Sequence, residues 1–232
     1  MTSKLKTRVV KILRVAILLQ VGYLILFNLA LYLPLTQSLV NSIRPEKFYV
    51  SWERAWTWYP FRVHATGISA NGQSRSQQWQ VDAPSASASI NILPLVLKRV
   101  WLSNVHVEDI NYRQRPRLKP DKDYDDHIPF FPEIEGREIA PAVTTPRKKK
   151  RPWHLEIEDI SASGDHSYWI MQFSGGASGE LSADLSFETR GGPFSLSNAE
   201  LDLQLDTLYT NSSHEIFNNG MVRGQIGFHP FV

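Results

Sequence analysis

The chain has no cysteine, which excludes disulfides, thiolate metal sites and a cysteine nucleophile. It also has no G-x-S-x-G, G-x-x-x-x-G-K-[ST], H-E-x-x-H or EF-hand pattern, so no catalysis is expected and no cofactor. The formal net charge is only +2, which gives no reason to expect nucleic acid as a partner. Apolar residues are not lacking. They make up 42% of the chain and include seven tryptophans, enough to build an ordered domain.

The first of these apolar residues lie together. Residues 15–35 carry no charge, and five basic residues precede them: Lys4, Lys6, Arg8, Lys11 and Arg14. At 1.5 Å per helical residue this run is roughly 31 Å long, the thickness of a hydrocarbon core. A cleaved signal peptide would have a shorter core and a small-x-small site, so an uncleaved single-pass anchor is expected. Lysine and arginine stay on the cytoplasmic side, which places the rest of the chain across the membrane. Within the run, Gln20, Gly22 and Asn28 read either as tolerated polar positions or as a packing face for another helix.

After the anchor, seven of the fourteen residues 48–61 are aromatic. Trp52, Trp56, Trp58 and Tyr59 are expected at the membrane interface, where an apolar ring and a polar edge are both accommodated. From Pro60 the period changes to two. Phe61, Val63 and Ala65 alternate with Arg62 and His64, further strands read through Trp79 and Val81 and through Ala86 to Ile92, and Val100 to Val107 continue the pattern. A parity switch at Glu108-Asp109 predicts a bulge before Ile110 and Tyr112. Residues 113–152 hold seven prolines and eleven lysines or arginines and read as a linker. β-structure resumes at Trp153, with a break expected at Gly175-Gly176 and strict alternation in Leu181 to Phe187 and Leu201 to Leu205. The expected divisions are a basic tail (1–14), helix and exit segment (15–43), first meander (44–112), linker (113–152) and second meander (153–232).

A weak repeat crosses the linker: Val105-His106-Val107-Glu108-Asp109-Ile110 matches Leu155-Glu156-Ile157-Glu158-Asp159-Ile160. His106, Glu108 and Asp109 with His154, Glu156 and Glu158 form the best constellation for a metal. On a strand, however, His106 and Glu108 lie opposite Val105 and Val107, on a water-facing side, and no metal site is expected. The fold expected is mainly β: one N-terminal transmembrane helix, then an antiparallel, meandering, groove-like sheet with repeats. Such strands have one apolar face, which must be covered by a second layer, a helix, a membrane or a lipid.

The order of elements resembles the AsmA-like family of bacterial envelope proteins. The likeness lies in the basic start and single span, in Tyr59-Pro60-Phe61-Arg62-Val63 opening a strand, and in Leu93-Pro94-Leu95-Val96-Leu97 preceding the pair at Lys98 to Leu102 and Val105 to Val107. The resemblance implies an inner-membrane anchor, a β-groove facing the periplasm, and a role in phospholipid transfer or envelope biogenesis. Membrane phospholipid is then the expected partner, and the groove would contact it through Val81, Ile90, Ile92, Val100, Leu102, Val105 and Val107. A reading of another class is an accessory subunit of a membrane complex, bound through the span or through the last strand, Met221 to Phe228, whose edge is a template for another strand. A third is the first part of a longer bridge-like protein.

Overall fold

The computed structural model describes residues 3–42, 47–74, 76–91, 93–118, 128–137, 152–188, 194–211 and 213–228. The basic run at 147–151 and the acidic stretch at 121–126 lie outside the described residues. Helix α1, Ser3–Tyr32, is followed by α2, Pro34–Ser42. The stretch Arg8–Tyr32 is long and apolar enough to cross a membrane, and none of its hydrophobic window is buried in the protein. Pro34 ends α1 because it has no N–H to offer Ala30. The Ala30 carbonyl instead accepts the Thr36 hydroxyl at 2.5 Å, and Pro34 opens α2 at a position where proline is favoured.

Among the described residues, ten strands join into one sheet. In chain order they are β1 Phe48–Ser51, β2 Arg54–Trp56, β3 Arg62–Gln73, β4 Gln77–Asn91, β5 Arg99–Glu108, β6 Asn111–Pro116, β7 His154–Ile170, β8 Phe173–Glu188, β9 Phe194–Thr210 and β10 His214–Phe228. The main path runs β1-β3-β4-β5-β7-β8-β9-β10, with β2 on β3 and β6 between β4 and β7. Pairing is antiparallel within each half, as the meander predicts. The join differs: β5 and β6 both lie parallel to β7. The long connection from Pro116 to His154 allows this, since it can return to the end of the sheet where β5 began.

Three sequence expectations are adjusted. The strands expected around Val81 and around Ile90 are one strand, β4. Pro84 fits inside it because it faces Gly67 and interrupts the β3 ladder where no register pair forms. Gly175-Gly176 is not a break but part of β8; the turn is at Met171-Gln172, with Met171 at φ +55°. A Cβ on Gly175 would lie 2.2 Å from the Thr207 carbonyl and 2.7 Å from the Tyr168 hydroxyl, so glycine there serves close approach. The linker begins later than Arg113, because β6 carries Arg113 and Arg115 as paired strand residues.

Bulges explain how long strands bend. Asp109, at the expected parity switch, has φ +51° and separates β5 from β6. Asn104, Asp159 and Asn198 have φ near +50° and stand at one level across β5, β7 and β9, at shifts in register. Asp184 on β8 links two of them, accepting from the Asp159 N–H at 2.8 Å and from Asn198 Nδ2 at 2.5 Å. Asparagine and aspartate suit these positions because short polar side chains tolerate the left-handed region. The matched aspartates of the weak repeat, Asp109 and Asp159, share this conformation, although the register sets Val105 beside Ile160 and not beside Leu155.

Candidate functional site

Residues directly opposed in a ladder share a face, so the register can be read across the sheet as rows. The middle row is Ala55, Ala65, Ala86, Val107, Ala162, Leu181, Leu201 and Gly224, apolar or glycine in every strand. The next row is Arg54, Thr66, Ser85, Glu108, Ser163, Glu180, Asp202 and Arg223, polar in every strand. A second apolar row, nearer the start of β5, is Ile90, Leu102, Ile157, Leu185, Leu196 and Phe228. A third, toward the other end, is Val50, Ala70, Val81, Tyr112, Tyr168, Gly175, Leu208 and Phe217. All three pass through β8 at Leu185, Leu181 and Gly175. Since β8 alternates without a shift of its own, they lie on one face.

This face collects six of the seven residues expected to meet lipid. Val107 is in the middle row, Ile90 and Leu102 in the second, and Val81 in the third. Val100 joins Leu155, Phe187 and Phe194, while Val105 joins Ile160 and Ala183. Ile92 lies outside the described residues. The β8, β9 and β10 members were not singled out in the sequence, although the alternation of Leu201, Leu203 and Leu205 was the signal for them. Among the described residues no helix or strand packs across this face; outside the sheet, α1 meets β2, α2 meets β1 and the 3-10 turn Leu93–Leu97 meets β5. Its buried members include Ala162, Ala177 and His166, which stands opposite Ala177, while Phe187, Phe194, Val222 and Phe228 are exposed.

The opposite face is polar and is partly covered by the segment 128–137. Trp169 Nε1 donates to the Phe130 carbonyl, Arg115 Nη1 to the Pro132 carbonyl, and the Glu135 N–H to Gln80 Oε1, at 3.1, 3.2 and 2.9 Å. Asp82 pairs with Arg113 at 2.5 Å and accepts from Ser69 and Gln80 at 2.6 and 2.9 Å. Burial alone would raise the Asp82 carboxyl, but these bonds and the Arg113 charge outweigh it and hold it below the usual carboxylate value. Burial lowers Arg115 from the usual guanidinium value, opposed by Glu133. A cleft of about 850 Å³ opens beside this segment, lined by Arg113, Arg115, Glu133 and Trp169 among others.

The metal constellation is not brought together. His106 contacts Ser161, Glu108 accepts from Ser85 at 2.6 Å, Asp109 accepts from the Asp165 N–H at 2.8 Å, and His154, Glu156 and Glu158 stand beside Arg99, Trp101 and Ser103. Among the described residues no three histidines or carboxylates are grouped to hold an ion.

The aromatic segment divides in two. Trp58 and Tyr59 point outward, at 68% and 55% exposure. Trp52 and Trp56 face the protein: Trp52 Nε1 donates to the Leu31 carbonyl at 3.4 Å, and Trp56 stacks on His64 with ring centroids 5.8 Å apart. Gln20 and Asn28 both bond to residues 57–58 of this chain. The first edge of the sheet is also closed from α2: Asn41 exchanges two bonds with the Val50 backbone at 2.7 and 2.8 Å, and Gln37 donates to the Trp52 carbonyl at 2.8 Å. No protein-family model, curated protein or solved structure matches this chain.

Proposed function

We propose that this chain is a membrane-anchored, lipid-binding sheet of the AsmA-like kind, with α1 in a bacterial inner membrane, the sheet in the periplasm, and the three apolar rows in contact with phospholipid acyl chains during lipid transfer or envelope biogenesis. The observation that carries the reading is the apolar face itself, continuous across the strands and crossed by no described helix or strand. Each methylene that leaves water against it contributes about 0.8 kcal/mol, so an acyl chain is a natural cover. At roughly 4.8 Å per strand, an eight-strand row is about 34 Å long, room for an extended chain. The test is mass spectrometry of the protein released in mild detergent. Phospholipid retained after exchange into lipid-free detergent is the expected result, and a lipid-free protein would overturn it.

One observation favours a second reading. β10 is exposed nearly throughout and its outer edge is unpaired in the sheet order, whereas the first edge is sealed by Asn41 and Gln37. Growth of the sheet is therefore open on one side only, which suits a partner that adds a strand, or further chain of the same kind. Under that reading the detergent-extracted protein elutes as a stoichiometric complex that a proline introduced into β10 dissolves; a lone chain would exclude it.

A further inference from the structure

We infer that residues 57–61 and the neighbouring turn Leu93–Leu97 are sunk in the hydrocarbon of the bilayer beside the middle of α1, clamped there by Gln20, Tyr23 and Asn28. Between residues 15 and 31 these are the three side chains able to form strong hydrogen bonds, and all three are directed at the same short loop. Asn28 Nδ2 donates to the Thr57 carbonyl and Asn28 Oδ1 accepts from the Thr57 N–H, both at 2.9 Å. Gln20 Nε2 donates to the Trp58 carbonyl at 3.2 Å, and the Tyr23 hydroxyl accepts from the Phe61 N–H at 3.1 Å.

The level of these contacts sets the depth. At 1.5 Å per residue, Asn28 and Gln20 lie about 6 and 18 Å inward from Tyr32, where the apolar stretch ends. A loop at the headgroups would meet the helix at or beyond Tyr32. Irregular backbone survives inside a bilayer only where its polar groups have partners. Most of the backbone polar groups of residues 57–61 meet that condition. Besides the bonds above, the Thr57 hydroxyl donates to the Tyr59 carbonyl at 2.7 Å, the Phe61 carbonyl accepts from the Ile90 N–H at 2.7 Å, and Pro60 has no N–H.

The side chains complete the case. Residues 55–61 carry no charge, and Trp58, Tyr59 and Phe61 are directed away from the protein. The Ile90 to Phe61 bond brings the end of β4 to this loop, and the next residues are the turn, where Leu93, Val96 and Leu97 are 80%, 87% and 75% exposed. Leucine and valine this bare are costly in water and favourable in lipid. The polar residues of the span thus secure a second, re-entrant insertion of the same chain.

The inference rests on α1 crossing the membrane, and the test separates the two. Because the chain has no cysteine, single nitroxide labels can be attached to the full chain as L18C, Y59C, V96C and N211C, reconstituted in vesicles of phosphatidylethanolamine and phosphatidylglycerol. Accessibility to oxygen and to a water-soluble nickel chelate is then read by electron spin resonance. Oxygen should dominate at positions 18, 59 and 96, and the chelate at 211, in the turn between β9 and β10. Chelate access at 59 and 96 with position 18 protected would overturn the insertion and leave the span intact. Chelate access at 18 would overturn both. Retention of phospholipid by the sheet face is a separate measurement, so its failure would be distinguishable from either.

Discussion

At the scale of single residues, the fold depends on a few side chains that satisfy backbone groups far away in sequence. Asn28→Leu would remove both bonds to the Thr57 backbone and is expected to destabilise the protein by about 1–3 kcal/mol, read as a lower thermal midpoint in detergent; an unchanged midpoint would show that the clamp carries no energy. Gly179 makes a sharper prediction. It has φ +139°, and a Cβ would lie 2.2 Å from the Asp202 carbonyl, so Gly179→Ala should cost about 1–3 kcal/mol, whereas Gly224→Ala, with open space around it, should stay within about 0.5 kcal/mol. Two titrating groups give the pH dependence. His64 is lowered from 6.5, first by burial and then by the Arg62 charge, so the unfolded chain binds its proton more readily and stability should fall as pH drops below about 6.5. Asp82 is lowered from 3.8, so its contribution is present above that value and is lost as pH falls through the folded one. Denaturant midpoints measured from pH 8 to 3 should decline in these two windows, with His64→Gln flattening the first and Asp82→Asn the second.

At the scale of elements, the alternating strands were legible in the sequence and their partners were not. Leu181 to Phe187 and Leu201 to Leu205 announce themselves because one buried face imposes period two. The Glu108-Asp109 parity switch was legible for the same reason, since a bulge must return Tyr112 to the face of Val107. Gly175-Gly176 read as a break because nothing local reveals that Tyr168 lies opposite, while the real turn at Met171-Gln172 has no glycine, asparagine or proline to mark it. The parallel join of β5 and β6 to β7 was hidden for a related reason: alternation fixes faces, not neighbours. Six expected lipid-facing positions do share a face, and the register joins the alternating leucines of β8 and β9 to it. A test at this scale is Leu203→Asp. Its carboxylate would be set against hydrocarbon, a penalty exceeding the 1.4 kcal/mol that equals a tenfold loss of affinity. Retained phospholipid should therefore drop at least about tenfold with the strand circular dichroism unchanged, and Glu180→Gln on the polar face should leave it as it was.

At the scale of the whole molecule, the sheet is two-faced, closed at one edge by Asn41 and Gln37 and open at the other along β10. Its polar face has a partial cover in residues 128–137, and its apolar face has none among the described helices and strands. A structure so divided needs an apolar companion, and we propose acyl chains for that place, supplied by a membrane in which α1 would be anchored. The most direct measurement places a photo-activatable side chain at Leu203 or Val107 on the apolar face and at Ser182 or Glu180 on the polar one, irradiates intact membranes, and identifies the adducts by mass. Phospholipid joined to positions 203 and 107 but not to 182 and 180 is the predicted result. Adducts to protein alone at 203 and 107, or equal lipid capture on both faces, would contradict it.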